Sequence, residues 1–122
     1  MAVFNGGMDS KETVRRCYLA YETGDLDSLD EVMAVSYVDH NAIVGQEPGL
    51  DGVKKKVAQT REMLGEIAVS FDDQIAEGDK VASRMTIHTP HGDIALFAIS
   101  QVADGKVVAE WGLADTSALG GE

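Results

Sequence analysis

Asp104-Gly105-Lys106-Val107-Val108-Ala109-Glu110-Trp111-Gly112-Leu113-Ala114-Asp115 is the stretch whose reading decides the fold. Asp-Gly is a strong short hairpin signal, because both central positions of the favoured turn need a positive φ. The residues after it alternate. On a regular strand Val107, Ala109, Trp111, Leu113 and Asp115 share one face. An aspartate at the end of such a face is either a solvated strand terminus or a pocket acid.

Outward from that turn, a two-residue Asp104-Gly105 connection pairs Ala103 with Lys106 and fixes the register of everything beyond. Asp115 then stands opposite Ile94, Leu113 opposite Leu96, and Trp111 opposite Ala98. The expected pocket floor is therefore Ile94, Leu96, Ala98, Trp111 and Leu113, with Asp115 at one end. Residues 94–102 are apolar on both faces, which suits a central strand covered on both sides. Residues 81–88 and 67–75 also repeat with period two, separated by the turn Glu77-Gly78-Asp79-Lys80. The loop His88-Thr89-Pro90-His91-Gly92-Asp93 leaves one register open. If Arg84 falls opposite Ala98, then Arg84, Thr86 and His88 join the face of Asp115, and otherwise they face away.

Helical spacing dominates the first half of the chain. Asp9 with Glu12 three residues on makes a capping box, Val14, Cys17, Tyr18 and Tyr21 form the apolar stripe, and Gly24 ends it. Cys17 reads as a small core residue, while Tyr18 and Tyr21 either pack or line a cavity. Leu26, Leu29, Val32 and Met33 mark a short second helix. Tyr37-Val38-Asp39-His40-Asn41 reads as a strand running into a loop with Gly45, Pro48 and Gly49. Asp51 is the expected cap of a third helix, with Val53, Val57, Thr60 and Leu64 inward and Lys54, Lys55 and Lys56 in water. Three helices followed by a consecutive antiparallel sheet is an α+β plan, with the helices on one face of a curved sheet.

Composition narrows the partners. At 122 residues the chain is long enough for one domain with a single core, with residues 1–8 and 118–122 expected as loose termini. The 21 acidic against 10 basic residues, net −11, argue against nucleic acid or an anionic membrane surface. The single cysteine excludes an internal disulfide and a cysteine metal cluster. His40, His88 and His91 give poor support for a metal site, and no Gly-rich phosphate loop or catalytic serine pattern occurs. With no secretory leader pattern and no apolar run near the ~20 residues of a spanning helix, a soluble cytoplasmic protein is expected.

Asp-Gly-Lys, two valines and an alanine, then an acid, Trp, three residues and Asp resembles the C-terminal signature of SnoaL-like polyketide cyclases, in the nuclear transport factor 2-like superfamily. The resemblance runs roughly from Lys11 to Asp115. It includes Gly24-Asp25-Leu26 between two helices, Tyr37, His40 and Asn41 before a Pro/Gly loop, Asp51-Gly52 opening a helix, and Arg84 with His91 seven residues on. It implies a cone-shaped α+β fold with three N-terminal helices on the concave face of the sheet. It also implies that Asp115 is the acid/base, that His40 and Asn41 hydrogen-bond a carbonyl or enol oxygen at the mouth of the cone, and that no cofactor is needed. Two departures stand out. The connection after His91 is shorter than usual, and residues 94–102 offer only Ser100 and Gln101 as polar side chains. Limonene epoxide hydrolase-like and ketosteroid isomerase-like patterns are not met, since Arg84 is followed two on by Thr86 and His40 stands where an Asp is needed.

Two functions follow as expectations. One is an enzyme acting on a hydrophobic carbonyl-bearing small molecule, with Asp115 and His40 catalytic and Asn41, Trp111, Arg84, His91, Tyr18, Leu96 and Leu113 around the substrate. The other is a non-catalytic ligand-binding or dimerisation module of the same fold. The face carrying Phe97, Ile99 and Val108 is expected to pair two copies as a homodimer. Leu113 and Ile94 are expected to raise the pKa of Asp115, and Trp111 to sense a bound ligand.

Overall fold

Helix α1, Ser10–Thr23, begins where the Asp9 side chain accepts the Glu12 N–H at 2.8 Å, and it stops at Gly24, whose φ of 77° is left-handed. A 3-10 helix over Leu26–Glu31 replaces the expected second α-helix, with Leu29 fully buried. Strand β1, Met33–Asp39, follows, then α2 over Gly49–Leu64. Four strands complete the order: β2 Ala68–Glu77, β3 Lys80–Thr89, β4 Gly92–Ala103 and β5 Lys106–Asp115. This computed structural model describes residues 9–42 and 44–119, so the expected loose ends at 1–8 and 120–122 lie outside the described residues. Ala118 and Leu119 instead belong to a 3-10 turn over Ser117–Leu119.

The strand order is β1-β5-β4-β3-β2. β2 to β5 form the antiparallel meander expected from the period-two pattern, but β1 joins the edge parallel to β5, so the sheet is mixed. The cause is the connection. β1 is followed by the α2 crossover and three further strands, and it docks on the last strand in the same direction as that strand. Helix α1 covers the inner face of the sheet, where Val14, Cys17 and Tyr18 pack with Val81, Met85, Ala98 and Val107.

The start of α2 corrects one expectation and explains one motif. Pro48 is the N-cap and Asp51 lies in the first turn, so its carboxylate favours the helix N-terminus without capping it. A Cβ at Gly52 would stand 1.7 Å from the Glu47 carbonyl oxygen, so only glycine allows the incoming loop to cross the helix there. The lysines are not simply solvated. Lys54 pairs with Asp30 at 2.8 Å, Lys55 with Glu47, and Lys56 with Asp39 at 3.6 Å.

A bulge decides which side chains the inner face receives. Ala103 pairs with Lys106 and Val102 with Val107, as the Asp-Gly turn requires, and then the register shifts, so that Gln101 pairs with Ala109 and Ser100 with Glu110. Val108 is the extra residue. Beyond it every side chain is on the opposite face from the one expected: Glu110, Gly112 and Ala114 turn inward, and Trp111, Leu113 and Asp115 turn outward. Asp115 is opposite Ala95, Leu113 opposite Phe97 and Trp111 opposite Ile99. The open hairpin closes at Thr89 and Gly92, which puts Arg84 opposite Phe97 and hence on the outer face.

Candidate functional site

Glu110 is the acid that the fold encloses. The Tyr18 hydroxyl, from α1, donates to its Oε2 at 3.0 Å, and the Ser100 hydroxyl, from β4, donates to the same oxygen at 2.7 Å. Tyr37, from β1, donates to Oε1 at 3.1 Å. Protein atoms surround the carboxyl group, although a cavity reaches it and leaves the residue half-buried. Burial pushes its pKa up, and the hydroxyls of Ser100, Tyr18 and Tyr37 only partly offset that. The same burial, with the Glu110 charge beside them, raises the Tyr18, Tyr21 and Tyr37 hydroxyls.

The cavity has a volume of about 540 Å³. Leu96, Ile94 and Ile87 supply an apolar wall, and Tyr18, Tyr21 and Tyr37 stand around Glu110. Asp39, Asn41, Lys56, Thr60 and Thr116 are its further polar lining. The Asp39 carboxyl is held below its usual range because hydrogen bonds from Gln46, the Asn41 backbone and Lys56 outweigh its partial burial. The arrangement combines apolar walls, one hydroxyl-ringed carboxyl of raised pKa and a few further donors. Such a site can bind a hydrophobic molecule and move a proton.

The expected site residues divide between the two faces. Tyr18 and Leu96 line the inner cavity, as does Asn41, whose Oδ1 accepts the Gly112 N–H at 2.8 Å just past the point where β1 stops pairing. The outer face carries Trp111, Arg84 and Asp115, and Leu113 borders both sides. His40 stacks flat on Trp111, with ring centroids 4.4 Å apart, and its backbone N–H donates to the Glu110 carbonyl. Arg84 is engaged by Asp73 at 2.6 Å, and His91 sits exposed in the turn after Thr89. Asp115 is exposed, and its pKa is lowered, not raised, because the Ser117 N–H donates to its Oδ1 at 3.0 Å. Asp115 and His40 therefore do not converge on the inner cavity.

Glu110, Tyr37, Ser100 and Lys56 complete the inner site, and none of them is among the expected site residues. The Glu110 position stands in the quoted stretch as an acid between Ala109 and Trp111. Nothing in adjacent valines distinguishes a bulge from a regular strand, so its face was set by pairing alone.

A family model described as SnoaL-like polyketide cyclase matches residues 11–121, and the chain belongs to that family. No functionally curated protein matches it. Solved structures share the fold. A candidate polyketide cyclase from Bacillus cereus superposes with a TM-score of 0.82 at 26% identity, over 88% of this chain and 74% of that one. IdmH from Streptomyces antibioticus, also named as a candidate polyketide cyclase, gives 0.81 at 22% identity over 92% and 96%. A nuclear transport factor 2-like protein of unknown function from Cytophaga hutchinsonii gives 0.74 at 14% identity over 95% and 98%. Among the described residues no helix is long and apolar enough to cross a membrane.

Proposed function

We propose that the inner cavity takes a hydrophobic, carbonyl-bearing small molecule and carries out isomerase- or cyclase-type acid/base chemistry on it without a cofactor. The observation that supports this is the Glu110 carboxyl, raised in pKa at the cavity wall with three hydroxyls on it. Glu110 takes a proton α to the substrate carbonyl and returns it at a second position. Asn41 and Lys56, both in the cavity lining, carry side-chain donors for the enolate oxygen. A positioned base of this kind contributes ~10²–10⁴-fold in rate. The experiment is a paired comparison of Glu110→Gln and Asp115→Asn on enolisable aryl ketones, read as deuterium exchange at the α-carbon. Loss in Glu110→Gln alone supports the reading. Loss in Asp115→Asn alone moves the chemistry to the acid that the family resemblance points to.

The second reading, a binding module, is favoured by the same hydroxyls. Three donors satisfy a buried carboxylate as well as they tune a catalytic one. Ligand binding with no exchange above solvent background in any variant would favour it.

We also propose that the outer face pairs two copies. Phe97 is 55% exposed, Leu113 73%, Ile75 70% and Ile99 44%, and with Trp111 they line one open groove. A contiguous apolar sheet face of this kind is usually an interface. Val108, the bulge residue, is half-buried and stands at the point where the register shifts.

A further inference from the structure

Gly112 occupies an inner-face position of β5, between Glu110 and Ala114, opposite Ala98. Most glycines among the described residues have a structural reason. Those at 24, 45, 49, 65, 78, 92 and 105 take positive φ values, and Gly52 has a carbonyl oxygen where its side chain would be. Gly112 has neither. Its φ is not in the left-handed region, and a Cβ there would meet its nearest neighbours at 3.6 Å (Phe97 O), 3.8 Å (Ala98 Cβ) and 3.9 Å (Leu96 Cδ1). All three are ordinary van der Waals distances. A glycine inside a strand weakens it, so a fold that tolerates a side chain there gains nothing from lacking one.

What the missing side chain leaves is space beside the acid. Ala98, Gly112 and Ala114 form a patch of small residues in a wall otherwise built from Ile87, Ile94 and Leu96, and all of them line the inner cavity with Glu110. Ala98 and Gly112 also border the outer groove, so the sheet is thin at this point. We infer that Gly112 is a specificity-determining residue: the ligand lies against the bare main chain there, and the side chain at this position sets how broad a molecule can reach Glu110. This rests on the inner cavity being the ligand site, as proposed above. The Gly112 N–H donates to the Asn41 Oδ1 at 2.8 Å, which holds the main chain in place at this point.

The test uses three aryl methyl ketones of increasing breadth, acetophenone, acetonaphthone and acetylphenanthrene, titrated calorimetrically into the full chain and into Gly112→Ala and Gly112→Val. Melting temperatures equal to or above that of the parent are expected for both. Affinity for the two broader ketones should fall by about tenfold or more in Gly112→Val, with a smaller loss in Gly112→Ala, since one methylene's worth of pocket is worth about 10–200-fold. Acetophenone binding should change little. Unchanged affinity for the broad ketones would overturn the inference while leaving the cavity reading intact. An equal loss for all three ketones with a lowered melting temperature would overturn it too, because Gly112 would then be structural. If Gly112→Val does not fold, Gly112→Ala carries the test through its ordinary contacts. If the parent binds none of the ketones, both the inference and the cavity reading fall, whereas loss of exchange in Glu110→Gln with ligand binding retained leaves both standing.

Discussion

Two oxygens of Glu110 accept three hydroxyls, from Tyr18, Ser100 and Tyr37, and that sets what its charge does to stability. Its folded pKa lies above the ordinary value of 4.5, and burial is the cause. The folded state therefore binds the proton more tightly than the unfolded state. The resulting contribution is fully present below pH 4.5 and is lost as pH rises through the folded pKa. Unfolding midpoints of the parent should fall across that window, and Glu110→Gln should flatten the slope and melt at least as high at neutral pH. A Glu110→Gln protein that melts lower at neutral pH while keeping the parent's slope would contradict this. Asp115 has the opposite sign: its pKa is lowered by Ser117, so its contribution is present at neutral pH and disappears only at acid pH. Because Asp115 is exposed, Asp115→Asn should shift the melting temperature only slightly and downward. Trp111 likewise reports on the outer face and its stack with His40, so a ligand held by Glu110 should leave its fluorescence nearly unchanged.

At the scale of the element, two features carry the site. Gly52 lets the loop at Glu47 cross the first turn of α2, so Gly52→Ala should cost about 1–3 kcal/mol or more through overpacking. In a differential scan that appears as a fall of several degrees in Tm. A Tm within one degree of the parent would mean that the loop moves aside freely. The bulge at Val108 is the second feature. Deleting Val108 restores the simple hairpin register, sends Glu110 outward and turns Trp111 and Leu113 inward, where Tyr18 and Tyr37 already stand. The deletion should unfold the chain or abolish cavity binding. Normal ketone binding by the deleted chain would show that the bulge does not set the site. The helices were legible from spacing and caps: Asp9 and Gly24 bound α1 as expected, and Gly65 ends α2. The α2 start was not, because Pro48 and Gly49 compete with Asp51 and the crossing loop decides between them.

The whole molecule presents one helix-covered face and one open face, with a net charge of −11. If the open face pairs two copies, Phe97→Arg should shift the sedimentation of a dimer to that of a monomer, with unchanged helicity and with ketone binding retained. A guanidinium buried without a partner typically costs several kcal/mol, which is on the order of a hundredfold or more in dimer affinity. A parent that sediments as a monomer at tens of micromolar would remove the basis for the pairing.

The sequence by itself determined the family, the four consecutive strands, the two α-helices and their stops, because alternation, helical spacing and capping are local properties of a few neighbouring residues. Tertiary structure alone decided the parallel docking of β1 on β5, the closing register at Thr89 and Gly92, and the extra residue at Val108. The physical reason lies in the period of a strand, which is two. A bulge adds one residue to one strand and, between two valines, leaves no mark on composition, yet a single one exchanges the faces of every residue beyond it. In this chain that exchange turned Asp115 to the solvent and Glu110 toward Tyr18, Tyr37 and Ser100.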